Sequence, residues 1–181
     1  MSKKIGILVG SLRQGSFTRS IANEMMALLP EGYEGSVIEI GQLPLYDQDY
    51  DAPGAAPASY ETFRRQIEAC DAYIFATPEY NRSMPAVLKN ALDVASRPWG
   101  QNKWGGKPAA VVSVSIGGIG GFGANHHLRQ VLSFLNVDTV QQPEAYIGNV
   151  MSLLDESGRL KSEETRAFLK TLVDALIAKI K

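Results

Sequence analysis

The sequence predicts an α/β protein, a three-layer sandwich with helices on both faces of a five-stranded parallel sheet in the order 2-1-3-4-5. Three observations predict it. Apolar runs alternate with segments of helical periodicity along the whole chain, the mark of βαβ units. Runs such as "AYIFA" and "KPAAVVSVS" are apolar at successive positions, as strands covered on both faces must be. Three loops of unusual composition follow the first, third and fourth runs, where open parallel sheets carry their ligands.

Each element has a local reason. Lys4–Gly10 reads as the first strand. A helix over 17–29 follows, with Ile21, Ala22, Met25, Leu28 and Leu29 at helical spacing and Pro30 and Gly32 as its stop. Ser36–Ile40 reads as a short second strand. The connection over 42–58, rich in Pro, Ala and Asp, is long enough to be functional or covered by a partner subunit. Residues 59–69 form the next helix, and Ala72–Ala76 the third strand. Pro85–Ser96 is helical, with proline in its first turn. Lys107–Ser115 is the fourth strand, Asn125–Leu135 a helix, Thr139–Gln141 a short fifth strand, and Ser162–Ile180 a final helix. No repeat or linker divides the chain, so residues 1–181 read as one domain.

Composition narrows the function. In 181 residues, 45% are hydrophobic and 20% charged, which suits a folded, soluble domain with a real core. The net charge of −1 and the lack of a basic block argue against nucleic acid. No apolar run reaches membrane-spanning length, and the stretch after Lys4 is too short for a signal peptide. Cys70 is the only cysteine, which fits a reducing cytoplasm. No residues show metal-ligand spacing, so no metal is expected.

In the 2-1-3-4-5 order, strands one, three and four are neighbours, so their loops line one crevice. The first loop, within "VGSLRQGSFTRS", brings the Ser11, Ser16 and Thr18 hydroxyls, the Arg13 cation and a helix N-terminus together, a setting for an anion. Gly10 and Gly15 have P-loop spacing, but Ser16 and Phe17 replace the lysine and hydroxyl that a nucleoside triphosphate requires. One phosphate monoester fits better. The second loop, "TPEYNRSMP", offers aromatic and amide groups to a flat heteroaromatic ring. In the third, Gly118 to Gly123 spell G-x-G-x-x-G, with Asp138 twenty residues after Gly118. A dinucleotide site needs that acid at the carboxyl end of the next strand, and Asp138 precedes it. The glycines read instead as backbone that passes close to a ring.

Together, "GSLRQGSFTR", "TPEYNRSMPAVLKNALD" and "SVSIGGIGG" resemble the NADPH-dependent FMN reductase family, whose flavodoxin-like members include quinone, azo-dye and chromate reductases. The resemblance runs from Lys4 to Tyr146. It implies non-covalent FMN, with its phosphate at Ser11, Arg13, Ser16, Phe17 and Thr18. The ring would rest against Pro78, Glu79, Tyr80 and Asn81, near Ser83, and be bordered by Ser115, Gly117 and Gly118. NADPH or NADH would supply hydride, and a quinone, azo compound, chromate or free flavin would receive the electrons. Tyr80 and Arg82 are candidates for contacting the nicotinamide nucleotide or the acceptor. No proton-transfer residue is implied, because the flavin carries the chemistry. Family members pair as homodimers or homotetramers, which makes the 42–58 loop and the 85–97 helix candidate contact surfaces. Thr18 stands where the family often has Asn, and Arg82 where a small residue is frequent. An electron carrier of the same fold is the rival reading. Carriers are usually strongly acidic, and this chain is not.

Several conspicuous residues stay outside this scheme. His126 and His127 lack the elbow and placed acid of an acyl-transfer site, and read as an interface or a solvated helix start. Cys70 reads as core. Asp47, Asp49 and Asp51 lack the glycine and glutamate of a calcium loop. Trp99 and Trp104 either cover a neighbouring subunit's flavin or close the loop on their own domain.

Overall fold

A computed structural model describes residues 2–181. The strands β1 (Lys3–Val9), β2 (Tyr33–Val37), β3 (Ala72–Pro78) and β4 (Pro108–Val114) lie in the order β2-β1-β3-β4, all parallel. The position beyond β4 is shared by β5 (Asp138–Thr139) and β6 (Ala145–Ile147), which pair with its two ends. The predicted order holds, and a sixth strand is added to it. The sequence reading places the last strand at Thr139–Gln141. The ladder instead breaks after Thr139 and resumes at Ala145, with Pro143, which has no N–H to donate, in the gap.

Side-chain alternation explains the two cores. Ile5, Ile7 and Val9 of β1, Ile74 of β3 and Val112 of β4 point to one face. There they meet α1 (Phe17–Ala27) and α6 (Glu163–Ile177). Leu8, Tyr73, Phe75 and Val111 point to the other, against α2 (Ala58–Glu68), α3 (Ala86–Ala95) and α4 (Phe122–Phe134). Trp104 is fully buried in that second core and donates its indole N–H to Leu92 O at 3.0 Å, so it closes its own loop. Trp99 is 81% exposed. Cys70 is buried, and burial pushes its thiol pKa up, as befits a core residue rather than a nucleophile.

Two further boundaries differ from the sequence reading. The second strand runs over Tyr33–Val37 rather than Ser36–Ile40. Ile38 still donates its N–H to Ile7 O at 2.9 Å, and beyond it the chain leaves the ladder, with Ile38 and Ile40 buried in the core on the α2–α3 side. Helix α4 begins at Phe122, three residues before its expected start, because Gly121 at φ +77° acts as its N-cap. A short α5 (Val150–Leu153) follows β6, and a 3-10 turn over Gln48–Asp51 interrupts the long loop. Among the described residues, no helix is long and apolar enough to cross a membrane.

Candidate active site

The carboxyl ends of β1, β3 and β4 deliver three loops to one edge of the sheet. After β1, Gly10 N donates to Ala76 O at 2.8 Å and holds the first loop against β3. Gly15, at φ +65°, turns the chain into α1. Ser16 is the N-cap, and its Oγ accepts from Arg19 N at 3.2 Å. The N–H groups of Phe17 and Thr18, as the first of the helix, have no intrahelical acceptor. Ser11 and Thr18 are 6% and 2% exposed, and neither hydroxyl has a hydrogen-bond partner among the described residues. The Arg13 guanidinium lies 4.8 Å from the centroid of the Phe17 ring, a cation–π contact that keeps it beside the helix start. No acidic residue occupies the first turn of α1.

After β3, Tyr80 and Ser83 exchange two backbone hydrogen bonds of 2.9 Å around Asn81 and Arg82. Both central residues have positive φ, +50° and +65°, which makes a tight turn of the kind that favours Asn-Gly. Glu79 is spoken for on both oxygens. Oε1 accepts from Arg82 Nη1 at 3.1 Å, and Oε2 accepts from Ala124 N at 3.1 Å, in the first turn of α4.

After β4, Ser115 is pinned by Ile147 O at 2.9 Å and by Val150 N at 3.2 Å. Its Oγ accepts from Gly117 N at 3.1 Å. Of the two glycines that would border the ring, Gly117 therefore already has an acceptor for its N–H. That of Gly118 has none among the described residues.

These loops enclose a cavity of about 270 Å³. Ser11, Arg13, Ser16, Phe17 and Thr18 form one wall. Pro78, Glu79 and Tyr80 form a second, and Ser115 a third. Val114, Ile116 and Val150 also line it, and the sequence reading names none of them. Val150 follows β6, a strand too short to show as an apolar run, so nothing in the sequence marked it. Asn81, Arg82, Gly117 and Gly118 flank the cavity within the same two loops but do not line it. Ser83 does not line it either: its Oγ lies 3.0 Å from His127 Nδ1, in the wall of an apolar groove between α3 and α4.

The donors suit an anion. Two unpartnered hydroxyls on largely buried residues, two helix-terminal N–H groups and one guanidinium converge, and the single carboxylate nearby is paired with its own partners. A phosphate monoester meets all of these at once. Tyr80, 54% exposed, and Ile116, 64% exposed, give the mouth a flat, apolar rim. Gly121 opens α4 and Gly123 lies inside it, while Asp138 is bound to Lys179 Nζ at 2.6 Å. His126 Nε2 meets the Tyr146 hydroxyl at 2.9 Å, and burial and a bond to Glu144 push that phenol up to about 12. Among the described residues, no group of three or more His, Cys, Asp or Glu is placed to hold a metal ion.

Known proteins resemble this chain in sequence and in fold. A quinone reductase from Pseudomonas putida is 50% identical over 177 residues, covering 98% of this chain and 94% of that protein. The structure of FerB, a flavoenzyme NAD(P)H:(acceptor) oxidoreductase from Paracoccus denitrificans, superimposes with a TM-score of 0.89 at 39% identity. That match covers 97% of this chain and 96% of the FerB chain. A flavodoxin from Pseudomonas aeruginosa matches with a TM-score of 0.63 at 19% identity over 96% of this chain and 99% of its own, which shows the flavodoxin-like fold alone. Residues 3–152 match the model of one family, and on that match and on the identity to its relatives the chain belongs to the NADPH-dependent FMN reductase family.

Proposed function

We propose that this chain is an FMN-dependent NAD(P)H oxidoreductase whose acceptors are quinones and similar flat electron acceptors, and that its whole length serves as one such domain. The observation that carries the reading is the convergence of unpaired donors around the first loop, beneath a flat rim from the second and third. FMN, when bound, takes hydride from NAD(P)H and passes electrons to the acceptor. The chain's own work is binding, orientation and electrostatics. Ser11, Thr18 and the N–H groups of Phe17 and Thr18 hold the phosphate, with Arg13 balancing its charge. Pro78 to Tyr80 support the ring on one side. The free N–H of Gly118 and the Ser115 region border its polar edge, where a donor favours negative charge on the ring. Tyr80 and Arg82 sit at the rim, within reach of a nicotinamide nucleotide or an acceptor.

A second copy completes the picture. Trp99 and Phe134, each 81% exposed, flank the groove beside α3 and α4 and its continuation toward Tyr46. Exposed aromatics over such a groove suit a homodimer or homotetramer. The lone buried thiol of Cys70 suits a cytoplasmic setting.

Anaerobic addition of NADPH to the FMN-loaded protein tests the reading. Rapid loss of the flavin absorbance, followed by its recovery on adding a benzoquinone, is the expected result. A flavin that binds but is not bleached leaves an electron carrier, and a protein that takes up no FMN overturns both.

A further inference from the structure

The third loop is gripped from inside the protein by a run of side-chain hydrogen bonds. Ser113 of β4 and Asn125 of α4 are both fully buried. Ser113 Oγ lies 2.7 Å from Gly120 O, in the loop. Asn125 Nδ2 lies 3.3 Å from Ser113 Oγ and 3.2 Å from Ala145 O, the first residue of β6. Asn125 Oδ1 lies 2.8 Å from Arg129 Nε, one turn further along α4, and Arg129 Nη1 lies 2.8 Å from Val140 O.

Donor chemistry fixes the sense of each bond. A guanidinium only donates, so the Asn125 atom that faces it is the amide oxygen. Nδ2 then faces inward and donates to Ala145 O and Ser113 Oγ. The Ser113 hydroxyl has one proton, and it goes to Gly120 O, the nearest carbonyl. The donors thus point one way, from the cation to the loop, and each bond polarises the next. The run ends where the chain is least constrained by its own sterics: Gly120 and Gly121 have φ of +67° and +77°. Gly120 N in turn donates to Gly117 O at 3.2 Å, so a fixed Gly120 fixes the turn that carries Gly118. Neither Ser113 nor Asn125 lines the flavin cavity.

We infer that Asn125, acting through Ser113, is a positioning residue for the flavin: the pair sets the turn over residues 117–120, and with it the free N–H of Gly118, at the polar edge of the ring. The inference rests on the FMN reading above and adds to it two residues that reach the ring only through the loop. A donor at that edge is worth most to reduced FMN, where negative charge gathers. The first loop holds the phosphate alike in both redox states. A loosened turn therefore weakens the binding of reduced FMN more than that of oxidised FMN.

Potentiometric titration of the FMN-loaded parent, Asn125→Asp and Ser113→Ala tests this, beside FMN titration of each apoprotein. Asn125→Asp keeps the shape and the contact with Arg129 but turns an acceptor toward Ser113 and Ala145 O. Ser113→Ala adds no charge, so a fall in potential common to both variants reports the loop. Oxidised FMN should bind within about threefold of the parent. Reduced FMN should bind about tenfold more weakly, which lowers the midpoint potential of the two-electron couple by about 30 mV. Tyr73→Phe removes another buried hydroxyl, bonded to Ile67 O at 2.9 Å in the opposite core, and should leave the potential unchanged. Hydrogen exchange of the apoproteins reads the loop without flavin: the Gly117 and Gly120 amides should exchange about tenfold faster in both variants. Should Asn125→Asp not fold, Ser113→Ala decides by the same two measurements. Unchanged potentials in a protein that binds FMN, an equal fall in Tyr73→Phe, or unaltered exchange would each overturn the inference alone. A parent that takes up no FMN overturns the FMN reading, and the inference with it.

Discussion

Glu79 of the second loop caps a helix that belongs to the third: its Oε2 accepts from Ala124 N at 3.1 Å, in the first turn of α4. The N-cap position of that helix is Gly121, which has no side chain to offer. A carboxylate at a helix N-terminus satisfies an orphan donor and meets the positive end of the dipole. Here it also ties the second loop, part of the cavity wall, to the helix that follows the third. Glu79→Ala should destabilise the protein by about 1–2 kcal/mol. It should also weaken FMN binding, because the second loop loses its anchor on α4. Glu79→Gln keeps an acceptor for Ala124 and should recover most of the stability. Chemical denaturation of apoprotein and FMN titration of each variant separate the two effects.

How much of this was legible in the sequence follows from where the information lies. Strand order and the first loop were readable, because buried parallel strands are apolar runs and phosphate loops need small, hydroxylated residues beside a helix start. Nine of the named flavin residues, Ser11 and Thr18 among them, do come to one cavity. The job of Glu79 was not readable, since it depends on Gly121 and Ala124 lying beside it across more than forty positions of chain. Val150 was hidden for the same reason. The motif alone does not show which way Ser83 faces: its Oγ lies 3.0 Å from His127 Nδ1, and it lines the groove between α3 and α4 rather than the candidate cavity. The separate fates of Trp99 and Trp104 were equally invisible, because only the packed core shows which ring has a carbonyl to bond.

Arg82 occupies the left-handed region at φ +65°, in a turn where glycine is the natural residue. Its side chain is 72% exposed, so its ion pair with Glu79 adds little. The backbone strain on a residue with a Cβ is about 1 kcal/mol, so Arg82→Gly should raise stability, by about 0.5 kcal/mol once the extra freedom of the unfolded chain is counted. On the proposed function, Arg82 contacts a substrate at the rim of the cavity. The same variant should raise KM for NADPH or for the quinone with less change in kcat. Unaltered turnover and unaltered KM for both substrates would remove Arg82 from the binding surface.

Two glycines of the third loop should answer differently to the same methyl group. At Gly120, φ is +67° and a Cβ would lie 2.7 Å from the Tyr146 carbonyl carbon, which is backbone and cannot give way. Gly120→Ala should cost about 2–4 kcal/mol from combined strain and overlap. It should also push the loop off β6, with loss of FMN binding. At Gly117 the nearest atom is Ser115 Oγ at 3.7 Å, an ordinary contact. Gly117→Ala should therefore stay within about 0.5 kcal/mol of the parent. Thermal melts of the two apoproteins, compared side by side, check the contrast.

Acid sensitivity should come in part from the opposite end of the sheet. Asp71 Oδ2 accepts from Lys4 N at 2.8 Å, and Oδ1 lies 3.4 Å from Lys3 Nζ. That backbone bond first, and then the lysine, hold the Asp71 carboxyl below its ordinary value. With the folded pKa below the unfolded one, the unfolded chain binds more protons in the interval between them. Stability from this group is complete above the unfolded pKa of about 3.9 and drains away as pH falls toward the folded value. Asp71→Asn retains an acceptor for Lys4 N but takes no proton. Its denaturation midpoints below the ordinary carboxylate pKa should decline less steeply with falling pH than those of the parent, with FMN affinity at neutral pH unchanged. Parallel pH profiles for the two proteins would show that the bond from Lys4 does not carry the linkage.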